Sequence, residues 1–98
     1  MAKHPSIAPT HPGEILREDI LPALNITRAA FAEAIGVSRN TLQRLLSQRS
    51  AVTPEMALRL GKALGNGPAF WVRLQSAYDL HHAQETVDVS GIRMIEAA

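Results

Sequence analysis

Residues 27–47 read TRAAFAEAIGVSRNTLQRLLS, and the spacing of apolar and capping residues in this stretch decides the fold. Thr27 and Ser38 each offer a hydroxyl that can accept from the unpaired N–H groups opening a helix. They predict one helix from Arg28 to Ile35 and a second running to about Ser47. Gly36 stops the first helix by taking the positive φ that ends a helix cheaply. Only Gly36-Val37-Ser38 separates the two, and helices joined this tightly cross at a steep angle. Phe31, Ala32 and Ile35 supply the buried side of the first, and Val37 fills the corner. In the second, at about 100° per residue, Leu45 and Leu46 fall at about −60° and +40° from Leu42, one narrow buried stripe.

The other side of that second helix carries Arg39, Asn40, Gln43, Arg44 and Ser47. Arginine pairs in bidentate fashion with guanine, and asparagine or glutamine with adenine. Lysine and glutamate, the usual occupants of a merely solvated helix, are absent from this face. Alanine at 32, glycine at 36, and leucines at 42 and 45 fit the general helix-turn-helix pattern, in which the second helix enters the major groove of double-stranded DNA. The candidate DNA-binding residues are therefore Thr27, Arg28, Ser38, Arg39, Asn40, Gln43, Arg44, Arg49 and Thr53. Arg39 and Gln43 are expected to read bases. Thr27 and Arg28 sit at the positive end of a helix where backbone N–H groups grip a phosphate, so Arg28→Ala is expected to weaken all sequences alike. The competing readings are a helical hairpin that only packs, and a protein-interaction module with little DNA binding.

Charge supports the nucleic-acid reading once it is divided along the chain. Residues 28–62 hold six basic side chains against two acids, and the remainder holds four against seven, although the whole chain is only +1. Such a segregated field turns one face toward a polyanion. Cysteine is absent, which removes disulfides and cysteine-based zinc sites and fits a cytoplasmic setting. No apolar run reaches the roughly 20 residues needed to span a bilayer, so no membrane role is expected. Glu14, Glu18 and Asp19 lack any accompanying nucleophile or phosphate loop, so they read as a solvated helix face and no enzyme is expected. Adjacent His81 and His82 project about 100° apart, and His81 with Glu85 gives two ligands where zinc takes three or four, so no metal or cofactor is expected.

Outward from the motif, 98 residues support one all-α domain. Residues 1–10 read as a flexible arm. A first helix should begin near Pro12, bury Ile15, Leu16 and Ile20, fray at Pro22 and end at a left-handed Asn25. Thr53-Pro54-Glu55 opens a fourth helix whose buried face would be Met56, Leu60, Ala63 and Leu64. Gly65-Asn66-Gly67-Pro68 leads into a fifth, with Phe70, Trp71, Leu74, Ala77, Tyr78 and His81 along one side. Residues 11–84 thus form the domain, and the tail at 85–98 is a candidate dimer or partner contact.

Two flanking stretches narrow the reading: His11-Pro12-Gly13-Glu14-Ile15-Leu16 before the first helix and Pro68-Ala69-Phe70-Trp71-Val72-Arg73-Leu74-Gln75-Ser76-Ala77-Tyr78-Asp79-Leu80 in the fifth. With the motif between them, they closely resemble HigA-type antitoxins of the lambda-repressor-like (Xre) helix-turn-helix family, over about residues 11–84. The resemblance implies a five-helix repressor domain that forms a homodimer and binds a palindromic operator of its own operon. It also implies neutralisation of a HigB-type, messenger-RNA-cleaving toxin. Stand-alone Xre regulators without a toxin share the same motifs. Arg28 stands where such motifs often have glutamine, and Asn25 where glycine is frequent.

Overall fold

The computed structural model describes residues 8–96, all of whose regular elements are helices. Residues 1–7 of the expected arm, and 97–98 of the tail, lie outside the described residues. Five helices follow in order. The first, α1, covers residues 12–24; α2 is Arg28–Ile35, α3 Arg39–Leu46, α4 Pro54–Leu64 and α5 Pro68–Thr86. No helix among the described residues is long and apolar enough to cross a membrane.

His11 starts α1. Its Nδ1 accepts the Gly13 N–H at 2.9 Å, and Pro12 occupies the first turn, where its missing N–H costs nothing. The helix does not fray at Pro22 but passes through it. An α-helical turn, Pro12–Ile15, widens into a π-helical segment, Leu16–Ile20, before a last α-helical turn, Leu21–Leu24. The Leu21 N–H donates to the carbonyl of Leu16, five residues back. That wider turn carries the preceding carbonyls clear of the proline ring, which would otherwise strike one of them. Asn25 then ends the helix in the left-handed conformation, φ 53°, as its side chain type permits.

The core is one cluster. Leu16 and Leu21 of α1, Phe31, Ala32 and Ile35 of α2, and Leu42, Leu45 and Leu46 of α3 meet Val52, Ala57, Leu60 and Trp71. On α4 the buried positions are Ala57, Leu60 and Gly61, with Met56 and Leu64 at the margin and Ala63 exposed. The departure from the expected Ala63 face has a steric cause. A Cβ on Gly61 would strike the backbone of Gly67 and Pro68, so the smallest residue sits where α5 departs from α4. On α5 only Trp71 and Gln75 are buried; Leu74, Tyr78 and His81 are half-buried, and Phe70 and Ala77 are exposed. The outer part of α5 leaves the body, giving overall extents of 56 × 31 × 23 Å.

Two buried polar residues hold this arrangement. Gln75 accepts the Val52 N–H at 2.8 Å and donates to the Asp79 carboxylate at 3.0 Å, pinning the α3–α4 loop to α5. His11, only 4% exposed, lies edge-on to Tyr78 with ring centroids 4.8 Å apart. Burial pushes its pKa below 6.5, against smaller upward pulls from Asp79, the Ser50 backbone and Glu14. A protonated ring would also lose the lone pair that caps α1. Because the folded pKa lies below the unfolded value, the unfolded chain binds more protons in the interval between them. Stability contributed by His11 is therefore expected to be complete above pH 6.5 and lost as pH falls from there toward the folded pKa. Thermal melts from pH 8 to 5 check this: a His11→Asn chain, which keeps a capping acceptor, should show a flatter profile than the native chain.

Candidate nucleic-acid interface

The nine predicted residues all lie at the surface. Three of them are the helix caps themselves. Thr27 Oγ1 accepts the Ala30 N–H at 3.1 Å, Ser38 Oγ accepts that of Thr41 at 3.0 Å, and Thr53 Oγ1 accepts that of Met56 at 3.2 Å. Each hydroxyl oxygen is thereby committed to its helix. Their contribution to an anion would come through the remaining N–H groups at the same helix ends. Ser38 Oγ additionally donates to Thr41 Oγ1 at 2.9 Å, which fixes the entry to α3.

Gly36, at φ 76°, and the half-buried Val37 make the turn that brings α2 against α3. Leu42, Leu45 and Leu46 are buried, so Arg39, Asn40, Gln43 and Arg44 must face outward on the same helix. The two helices also meet at the surface. Arg28 Nη1 donates to Gln43 Oε1 at 2.7 Å, placing a phosphate candidate from α2 and a base-reading candidate from α3 in one pair. That bond orients the Gln43 amide with its NH₂ free, the group that would approach an acceptor on a base. Among the described residues the side chains of Arg39, Asn40, Arg44 and Arg49 have no hydrogen-bond partner, so their donors remain available.

Arg44 and Arg49 are linked through the chain. After α3 the Gln48 N–H donates to Leu45 and the Arg49 N–H to Arg44, with Gln48 left-handed at φ 65° between them. This is a Schellman end that usually employs glycine. Gln48 Nε2 also approaches Glu14 at 3.4 Å. Beyond it, the Gln75 bond to Val52 fixes the loop that delivers Arg49 and Thr53.

Not every basic residue of the 28–62 block belongs to this face. Arg59 Nη1 donates to the carbonyls of Ile35 and Gly36 at 2.9 and 3.2 Å, and its Nη2 pairs with Glu55 at 3.0 Å. It closes the C-terminal end of α2, where a cation is favourable. Arg17 does the same for α3, donating to the Leu46 carbonyl at 2.8 Å while its Nε pairs with Glu18. Gln75, Arg17, Arg59 and Gln48 are the residues that sequence reasoning missed. Their partners lie 29 residues away for Arg17 and 24 for Arg59, beyond the reach of local periodicity.

Comparison with known proteins agrees with this geometry. A helix-turn-helix family model matches residues 16–71. The chain is 41% identical to the uncharacterized HTH-type transcriptional regulator YddM of Escherichia coli K12, covering 97% of this chain and 95% of the relative. It is 43% identical to antitoxin HigA-1 of Vibrio cholerae over 74% of this chain and 68% of that protein. Among solved structures, the Pseudomonas aeruginosa antitoxin HigA with the higBA promoter superposes with a TM-score of 0.79 and 36% identity, covering 90% of this chain and 96% of that one.

Proposed function

The chain belongs to the helix-turn-helix family, and from that membership and the geometry of α3 we infer that it is a sequence-specific, DNA-binding transcriptional repressor of the HigA antitoxin type. It is a regulator and not an enzyme. The single observation that carries the reading is the composition of the open face of α3: Arg39, Asn40, Gln43 and Arg44 exposed together above a buried leucine stripe. These four enter the major groove and read base edges. Thr27, Arg28, Ser38, Arg49 and Thr53 flank them and hold phosphates on either side. A HigA relative captured with its promoter supports this assignment.

The functional unit is a homodimer on a palindromic operator, because one recognition helix buries little surface and two-fold pairing multiplies its selectivity. The outer end of α5 and the tail present Leu80, Val87, Val89, Ile92 and Met94 to solvent, an apolar strip suited to such pairing. The protein acts in the cytoplasm, represses its own operon and neutralises a messenger-RNA-cleaving toxin encoded with it. The domain proper is residues 11–84, with the tail serving assembly.

The test is operator binding as a function of salt. Affinity for the promoter DNA upstream of the gene is expected to fall linearly on a log–log plot, with a slope of about −0.9 per phosphate contact, and to require two half-sites about 34 Å apart or a multiple of it. Binding that ignores both salt and half-site spacing would refute DNA reading by α3.

A further inference from the structure

On the side of the molecule formed by α1 and α5 lies an open groove of about 370 Å³. Ile15, Leu74 and Ala77 give it an apolar floor, and Glu14, Glu18 and Asp19 form an acidic wall along α1. None of these residues belongs to the DNA-facing set, and the basic block at 28–62 contributes nothing to the groove. Of the three carboxylates, Glu18 is paired with Arg17 and Glu14 approaches the Gln48 amide at 3.4 Å. Asp19 is exposed and has no hydrogen-bond or ion-pair partner among the described residues. Three of the seven acids outside 28–62 thus stand together beside this apolar floor.

We propose that this groove is the docking site for the protein partner, received through a segment that carries an apolar side chain flanked by lysine or arginine. The proposal rests on the antitoxin reading above. A partner that cleaves RNA must hold a polyanion, so its working surface is cationic. An acidic wall over an apolar floor is complementary to that surface in charge and in polarity, and it competes for the groups that would hold the RNA backbone. A DNA-binding protein cannot turn such a wall toward phosphate. Because the groove and the open face of α3 share no residue, one molecule can hold operator and partner together. The acidic side chains serve association and specificity, while burial of Ile15, Leu74 and Ala77 supplies the apolar contact.

Co-expression of the full-length chain with the product of the adjacent reading frame tests this. The readouts are relief of growth arrest, co-purification, and the dissociation constant of the purified pair. Asp19→Lys reverses the wall, and Ala77→Trp fills the floor without altering charge; both positions are exposed, so folding should persist, with melting temperature and operator affinity as controls. Each change is expected to weaken the complex by roughly tenfold or more while operator affinity stays within about twofold. If the native pair forms and both variants bind it as well as the native chain, the groove assignment is overturned and the antitoxin reading stands. If the native chain neither binds the product nor relieves arrest, the antitoxin reading itself fails and the groove proposal with it. Should either variant instead convert a dimer to a monomer, the groove belongs to self-association, and the proposal is wrong.

Discussion

A Trp71→Ala chain is expected to lose about 3–5 kcal/mol of stability, the cost of removing a large side chain from a packed interior. Trp71 is fully buried and, with Phe31, is one of two aromatic side chains at the centre of the core. It also does more than fill space. Its Nε1–H donates to Asn66 Oδ1 at 3.0 Å, tying the start of α5 to the turn that leaves α4. Its ring meets Phe70 edge-on at 5.1 Å. A domain of this size has only about 5–15 kcal/mol in total, so the variant should be substantially unfolded on mild warming. Urea titration followed by circular dichroism checks it. Trp71→Phe keeps most of the volume and loses the Asn66 bond, so its cost should be nearer 1–2 kcal/mol, roughly that of one hydrogen bond plus a partial cavity. Equal costs for the two variants would show that the bond, and not the packing, dominates.

The second large effect lies on the DNA face. Arg39→Ala and Gln43→Ala are each expected to relax preference at one operator position by about 1–3 kcal/mol, and together by roughly the sum. Competition binding against single-base operator variants is the measurement. Arg28→Ala is the informative companion. From sequence it should weaken every site alike, since it faces phosphate; the 2.7 Å bond to Gln43 adds a second consequence. Losing Arg28 also frees the amide proposed to read the base, so part of the Gln43 discrimination should vanish with it. A double-mutant cycle on Arg28 and Gln43 should then return a coupling of about 0.5–3 kcal/mol on the native operator. A coupling of zero would mean that the pair separates when DNA binds.

Much of the frame was readable from local chemistry alone. Thr27, Ser38 and Thr53 cap helices as their hydroxyls predict, Gly36 and Asn25 take the left-handed conformation, and Leu42, Leu45 and Leu46 are buried. In each case the cause lies within four residues of the effect. What was not readable depends on contacts distant in sequence. A buried glutamine at 75 has meaning only beside the Val52 N–H, and a buried histidine at 11 only beside Gly13 and Tyr78. Pro22 was expected to fray the last turn because its missing N–H is a local fact. The π-helical turn that accommodates it is a property of the whole helix held against the core. Ala63 and Gly61 could not be ranked without knowing that the α5 backbone crosses at Gly61. The outward face of α3 was legible as a set of residue types; the Arg28–Gln43 pairing within it was not.

The arginines at 17 and 59 bear on how this molecule could be retargeted. Both reach the C-terminal carbonyls of α2 and α3 from elsewhere in the chain, Arg17 onto Leu46 and Arg59 onto Ile35 and Gly36. The two-helix unit is therefore not portable: cut out and grafted onto a foreign scaffold, it would arrive with those carbonyls unclaimed and its tilt unset. A change of target sequence is better made by exchanging side chains on the open face of α3 and leaving the helix in its native frame.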